Sequence, residues 1–137
     1  MIQRIQTIYL FLVAIASISY VFMPLGNIAL NETAQVWIIK QSMPNLIVTI
    51  LVAAIAFISI FLYNNRKNQL KVVLANILLS VGLIGLFFFE LTQHIGISNY
   101  SFRFGAILPI FILLFNVLAY GSIKSDEKLV RSMDRLR

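Results

Sequence analysis

The sequence predicts an all-α membrane protein whose four transmembrane helices form an up-down-up-down bundle, followed by a short amphipathic C-terminal helix. Composition is the first reason: of the 137 residues, 60% are hydrophobic and 12% are charged, whereas a soluble domain usually has about 25% charged residues. The second reason is that the apolar residues form four long runs separated by short polar segments. These observations exclude a water-soluble domain and a disordered chain.

Each apolar run is close to the roughly 20 residues that a helix needs to cross a bilayer core of about 30 Å. We therefore expect a membrane domain over residues 1–123. The predicted spans are about 5–24, 44–63, 72–93 and 104–123. Pro24 ends the first run, and Pro44 suits the first turn of the second helix, where its missing N–H costs no hydrogen bond. Pro109 lies inside the fourth run and is expected to bend that helix.

Lysine and arginine are distributed unequally between the two ends of these spans. Nine of them lie at one end, namely Arg4, Arg66, Lys67, Lys71, Lys124, Lys128, Arg131, Arg135 and Arg137. Only Lys40 and Arg103 lie at the other end. Because basic loops stay in the cytoplasm, both termini and loop 64–71 are predicted to be cytoplasmic, and segments 25–43 and 94–103 to be outside. The net charge of +6 therefore reflects topology, and nucleic-acid binding is not needed to explain it.

Two groups of large apolar residues are expected near the outer membrane surface. Trp37-Ile38-Ile39 in segment 25–43 is predicted to be exposed, as a short strand or helix lying on the membrane or as a contact for a partner. Phe87, Phe88 and Phe89 in the third span are predicted to form a belt that faces lipid or a partner. Tryptophan favours the membrane–water interface, which agrees with the predicted boundary.

Glu90 is the only charged residue within the predicted spans, and a charged residue in a membrane is by default a functional hypothesis. It lies near the outer end of the third span, with His94 one helical turn beyond it and Arg103 just before the next span. One interpretation is a carboxylate that reaches the interface or pairs with His94 or Arg103. The alternatives are a proton or cation relay and a polar contact with another subunit.

The sequence contains no recognisable catalytic set. His94 is the only histidine and there is no cysteine, whereas a protein zinc site takes three or four ligands and a membrane haem commonly takes two. No metal, haem or other cofactor is therefore expected. The pattern favours a protein that is not an enzyme.

Residues 124–137 are predicted to form a separate basic, amphipathic tail in the cytoplasm. Ser125 suits a helix N-cap, and Asp126 and Glu127 suit the first turn that follows. An apolar stripe is formed by Leu129, Val130, Met133 and Leu136. The tail is expected to lie on anionic lipid headgroups or to dock on a partner. The candidate contacts are Arg66, Lys67, Lys71, Lys124, Asp126, Glu127, Lys128, Arg131, Asp134, Arg135 and Arg137.

Both ends of the chain carry motifs that resemble a known family. The opening residues Met1–Leu10, and the closing segments Ile123–Ser132 and Asp134–Arg137, are similar to those of an uncharacterised family of small four-span membrane proteins from Bacteroidota. The resemblance implies a multi-pass protein of the bacterial inner membrane without an assigned activity. It supplies no catalytic residues to transfer to this chain.

Three functional hypotheses follow from these features. The first is a non-enzymatic accessory subunit of a larger inner-membrane complex, for example in protein export or envelope assembly, with other membrane proteins, anionic lipid or ribosomal RNA at its cytoplasmic face. The second is a small transporter or channel component that uses Glu90. The third is a lipid-modifying enzyme built around Glu90, His94 and Arg103.

Overall fold

The computed structural model of the chain describes residues 3–30, 33–95 and 100–134. Its four long helices are α1 (Gln3–Phe22), α2 (Met43–Phe61), α3 (Arg66–Glu90) and α4 (Leu108–Asp134). Each contains a window long and apolar enough to cross a membrane. The prediction of a multi-pass membrane protein with four spanning helices is confirmed.

The four helices pack as a bundle in which neighbours along the chain are also neighbours in space. Helix α1 packs against α2 and α4, and α3 packs against the same two helices. The start of α3 meets the end of α2, where Gln69 Nε2 donates to the Ser59 carbonyl oxygen at 3.0 Å. The end of α3 meets the start of α2, so these helices run antiparallel. Following the predicted orientation, we call the end of the bundle that contains Glu90 the outer end and the opposite one the inner end.

The outer end carries a three-stranded antiparallel sheet that the all-α prediction did not include. The strands are β1 (Pro24–Leu30), β2 (Thr33–Ile38) and β3 (Tyr100–Phe102), in the order β2-β1-β3. Strands β1 and β2 form a hairpin, and β3 adds to β1 from the connection between α3 and α4. The two outer segments therefore satisfy each other's backbone groups, as chain at the edge of a membrane requires.

The prediction that Trp37 is exposed is wrong. Its side chain is 6% exposed, stacks on Phe87 at a centroid distance of 5.8 Å and meets the edge of Tyr100 at 5.8 Å. Ile39 is also fully buried. Because the sheet folds back over the helices, the aromatic face of β2 packs on α3 instead of on lipid.

The predicted phenylalanine belt is correct at only two of its three positions. Phe88 and Phe89 are more than half exposed on the surface of α3, whereas Phe87 is 3% exposed beneath Trp37. A helix turns by about 100° per residue, so three consecutive side chains do not share one face.

Helix α4 begins and ends differently from the predicted fourth span. It begins at Leu108 after a 3₁₀ turn over Phe104–Ile107, so Pro109 occupies the first turn of the helix, where it breaks no hydrogen bond. At the other end α4 continues without interruption to Asp134, and the described residues contain no separate short C-terminal helix. Ser125 therefore lies inside a helix instead of capping one. At about 1.5 Å per residue, the 27 residues of α4 extend about 40 Å, which exceeds a bilayer core of about 30 Å.

Two glycines permit close approach at the outer end. A Cβ atom on Gly26 would overlap the ring of Tyr100, which packs closely against β1 at this position. A Cβ atom on Gly105 would lie 2.5 Å from the Pro24 carbonyl oxygen. The junction of α1, the sheet and α4 therefore has no space for a side chain at either position.

Candidate functional site

Glu90 is the last residue of α3 and is held by the start of α2. Its two carboxylate oxygens accept hydrogen bonds from different residues: Ser42 Oγ donates to Oε1, and Asn45 Nδ2 donates to Oε2 at 2.7 Å. Ser42 precedes α2 and Asn45 lies in its first turn. The carboxylate is half-buried, and charge-assisted bonds of this kind are stronger than neutral ones. The position of a membrane carboxylate could be predicted from the sequence, but these two partners could not.

Four buried polar atoms near the outer end lack a hydrogen-bond partner among the described residues. They are the hydroxyls of Tyr20 and Tyr100 and the Oδ1 atoms of Asn27 and Asn45. Tyr20 is fully buried, and Glu90 and Tyr100 both act on it electrostatically. Burial raises the pKa of Tyr100, on β3, to about 12, so this phenol is neutral at physiological pH. Glu90 thus adjoins a group of neutral oxygens enclosed by α1, α2 and the sheet.

Arg103 does not join Glu90 in the described contacts. Its backbone N–H donates to the Leu25 carbonyl oxygen at 2.9 Å, and its exposed side chain lines a surface groove of about 640 Å³ beside Pro24 and Phe104. The backbone of His94 lies in a π-helical turn over Leu91–Ile95, but its side chain is outside the described residues. Pairing between Glu90 and His94 therefore stays a prediction.

A second cluster of polar side chains links α3 to α4 midway along the bundle. Asn76 Nδ2 donates to Asn116 Oδ1 at 3.1 Å, and Asn116 Nδ2 donates to Ser80 Oγ at 3.0 Å. All three side chains are fully buried. Hydrogen bonds between transmembrane helices are typically worth about 0.6–2 kcal/mol. Their role here is to fasten the two helices together.

The inner end is organised around Asp126 of α4. Gln6 Nε2 of α1 donates to Asp126 Oδ2, and Arg66 Nη1 of α3 donates to the Asp126 carbonyl oxygen at 3.3 Å. The sequence analysis placed Asp126 among the surface contacts, but its side chain is only 5% exposed. The continuous course of α4 causes this difference, because it packs Asp126 against α1 and α3.

The basic residues around Asp126 lie on the surface of the inner end. Exposed side chains are contributed by Lys67 and Lys71 of α3 and by Lys124 and Lys128 of α4. Leu129 and Val130, two members of the predicted stripe, are 50% and 38% exposed. We call these six residues the inner surface. Glu127 is half-buried beside them, whereas the side chains of Arg131 and Asp134 and the whole of Arg135 and Arg137 lie outside the described residues.

No group of three or more His, Cys, Asp or Glu side chains that could hold a metal ion occurs within the described part of the chain. A family model described as a domain of unknown function, DUF4293, matches residues 2–136. The chain belongs to the DUF4293 family. The match covers almost the entire sequence, so the bundle, the sheet and the inner surface all lie within this one family domain. No curated protein and no solved structure matches the chain with significant similarity.

Proposed function

We propose that this DUF4293 protein is a non-enzymatic accessory subunit of a larger complex in the bacterial inner membrane. In this proposal the inner surface docks on a cytoplasmic part of a partner protein. The observation that carries the proposal is the continuous helix α4, which presents exposed leucine, valine and lysine side chains after the predicted span 104–123.

The contacts of Asp126 support a fixed docking element. Asp126 accepts hydrogen bonds from α1 and α3 at the point where α4 leaves the bundle. Residues beyond this point therefore continue in a direction set by three helices. A preorganised helix loses less conformational entropy on binding than a flexible tail would lose.

The chemistry of the inner surface indicates the kind of partner. Leu129 and Val130 offer an apolar stripe, which is how a helix commonly docks in a groove of another protein. The exposed lysines of the inner surface favour an acidic rim around that groove. In the most specific form of this proposal, the partner belongs to protein-export or envelope machinery, and ribosomal RNA lies nearby.

The experiment is affinity purification in mild detergent at native expression level, followed by mass spectrometry of the proteins that remain bound. The test variant combines Lys128→Ala with Leu129→Ala. Its matched control combines Lys40→Ala with Leu114→Ala, which removes the same side chains at the outer end and on the lipid-facing side of α4. Loss of one stoichiometric partner from the test variant alone is the expected result. Identical partner lists for both variants would contradict docking through this surface.

A second candidate function is a small transporter or channel component. The observation that favours it is a set of buried oxygens around Glu90, those of Tyr20, Asn45 and Tyr100, which have no hydrogen-bond partner among the described residues. Such oxygens are suitable for transient binding of a proton or cation. Its test is ion flux in proteoliposomes that contain the wild type or Glu90→Gln. Equal flux from both proteins would count against this function without affecting the subunit proposal.

A further inference from the structure

A groove at the inner end of the bundle takes no part in the docking proposal. It lies between the start of α1, the end of α2 and the start of α3. Its volume is about 580 Å³, within the range of about 300–1,000 Å³ that is usual for ligand sites. Ile8, Phe61 and Tyr63 line it, and each is more than half exposed. The groove therefore opens sideways, towards the surroundings of the bundle.

The polar end of this groove is formed by the first turn of α3. Gln69 is 3% exposed, and its Nε2 donates to the Ser59 carbonyl oxygen, but its Oε1 has no hydrogen-bond partner among the described residues. Arg66 uses Nη1 for the Asp126 carbonyl oxygen, and a guanidinium has five N–H donors in all. The groove thus combines a cation with donors to spare and a buried acceptor that lacks a donor.

We propose that this groove binds an anionic phospholipid of the cytoplasmic leaflet. The phosphate lies against Arg66 at the N-terminus of α3, where the helix dipole also favours an anion. The headgroup glycerol, such as that of phosphatidylglycerol, lies beside Gln69 at the polar end of the groove. One acyl chain lies along Ile8, Ile60 and Phe61.

Three features favour a lipid over a free anion or a peptide. The walls beyond Arg66 and Gln69 are mostly apolar, which suits an acyl chain but gives a small ion nothing to bind. The open side is flanked by Ile8 and Phe61, which lie within candidate membrane spans. Basic pockets between transmembrane helices on the cytoplasmic side are typical sites for anionic headgroups.

The test offers the purified full-length protein an equimolar mixture of phosphatidylglycerol and phosphatidylcholine in detergent micelles, and native mass spectrometry counts the lipids retained. The expected result is preferential retention of one phosphatidylglycerol. Arg66→Gln should reduce this retention about thirtyfold, because it removes a charge from a partly desolvated pair. Lys67→Gln is the matched control, since Lys67 is exposed and does not line the groove. It should reduce retention at most about fivefold, the effect of one charge near an anionic surface.

A second pair of variants keeps the test decisive if Arg66→Gln disturbs the contact with Asp126. Ile8→Trp fills the groove and leaves Arg66 in place. Ile18→Trp makes the same change elsewhere on α1, at a side chain that is likewise 55% exposed. Ile8→Trp should lower phosphatidylglycerol retention about tenfold, and Ile18→Trp should leave it nearly unchanged.

Three results would overturn the proposal. One is equal retention of the two lipids by the wild type. Another is the same loss from Arg66→Gln and Lys67→Gln, or from Ile8→Trp and Ile18→Trp, because either result describes a general surface effect. The third is displacement of the bound lipid by millimolar inorganic phosphate, which would identify an anion site without a lipid component.

Discussion

The outer and inner ends of the bundle differ in how the chain covers the ends of the helices. At the outer end, β1, β2 and β3 fold back over the helices, and Trp37, Phe87 and Tyr100 pack beneath them. At the inner end, α4 continues past the contacts of Asp126, and four lysines are exposed on the surface. Both ends carry a surface groove. The outer end is thus closed by a buried aromatic cluster, whereas the inner end exposes the charged and apolar side chains of α4 on which the docking proposal rests.

The acidic residues at the two ends also differ in their hydrogen-bond partners. Glu90 at the outer end is bound by two donors from a single segment, Ser42 and Asn45, which closes the end of α3 onto the start of α2. Asp126 at the inner end receives donors from two different helices. Glu90 thus connects the ends of two helices, whereas Asp126 fixes the direction in which α4 leaves the bundle.

The largest effect on this comparison should come from Trp37→Ala. Removing a buried aromatic side chain usually costs about 3–5 kcal/mol, and Trp37 also loses its ring contacts with Phe87 and Tyr100. We expect a large fall in thermal stability, measured by differential scanning fluorimetry in detergent. Phe88→Ala is the control, since that ring is 52% exposed. An equal, small effect of both variants would show that the aromatic cluster around Trp37 does not stabilise the outer end.

Gly26→Ala should have the next largest effect. The new methyl group would overlap the ring of Tyr100, and overpacking of this kind typically costs about 1–3 kcal/mol. Gly82→Ala adds the same methyl group at a position with no neighbouring atom within 4 Å. The second variant should be neutral or slightly stabilising, because alanine is the better helix former. Urea denaturation of both variants measures the difference.

Glu90→Gln should weaken the outer end more moderately. A glutamine keeps one acceptor but loses the negative charge, and hydrogen bonds to charged groups are worth about 1.5–3 kcal/mol. A double-mutant cycle with Asn45→Ala isolates the pair: the coupling energy should exceed about 0.5 kcal/mol if the two side chains interact as described. A coupling near zero would mean that Glu90 has other principal partners.

Tyr100 should make the stability of the outer end fall at alkaline pH but not at neutral pH. Its folded pKa of about 12 lies above the ordinary value of 10, so its stabilising contribution is complete below pH 10 and is lost as pH rises towards 12. Tyr100→Phe removes a hydroxyl that has no partner among the described residues. This variant should match the wild type at pH 8 and lose less stability than the wild type between pH 10 and 12. Melting temperatures across that range provide the measurement.

The smallest effect on stability should come from the inner surface. Lys128→Ala and Leu129→Ala remove exposed side chains, and surface substitutions usually change stability by less than about 0.5 kcal/mol. Melting temperatures within experimental error of the wild type are expected. A marked destabilisation would indicate that this part of α4 packs against the rest of the chain, and it would remove the contrast between the two ends.

The long helices could be predicted from the sequence because each depends on a local run of apolar residues. The sheet could not, since β3 has only three residues and pairs with a strand more than seventy positions away. The burial of Trp37 depends on that pairing. The sequence predicted Asp126 at the surface because Ser125, taken alone, resembles a helix cap. In the structure the helix α4 continues past Ser125 without interruption.

The candidate residues divide in the same way. Exposure of Lys67, Lys71, Lys124 and Lys128 follows directly from their charge and their position after the spans. The partners of Glu90 do not follow, because Ser42 and Asn45 are unremarkable polar residues until α2 and α3 are known to be antiparallel neighbours. The buried oxygen of Gln69 likewise becomes informative only once the groove is formed.

The pairing of β1 with β3 also sets an order of assembly during synthesis. Asn27 leaves the ribosome 74 residues before its partner Ser101 (101 minus 27), a delay of roughly 4–15 s at usual elongation rates. Throughout that interval β1 has an unpaired edge, which is a template for wrong pairing. The final strand can close this edge only after the third helix has been made, so the outer sheet is completed when three of the four helices have been synthesised.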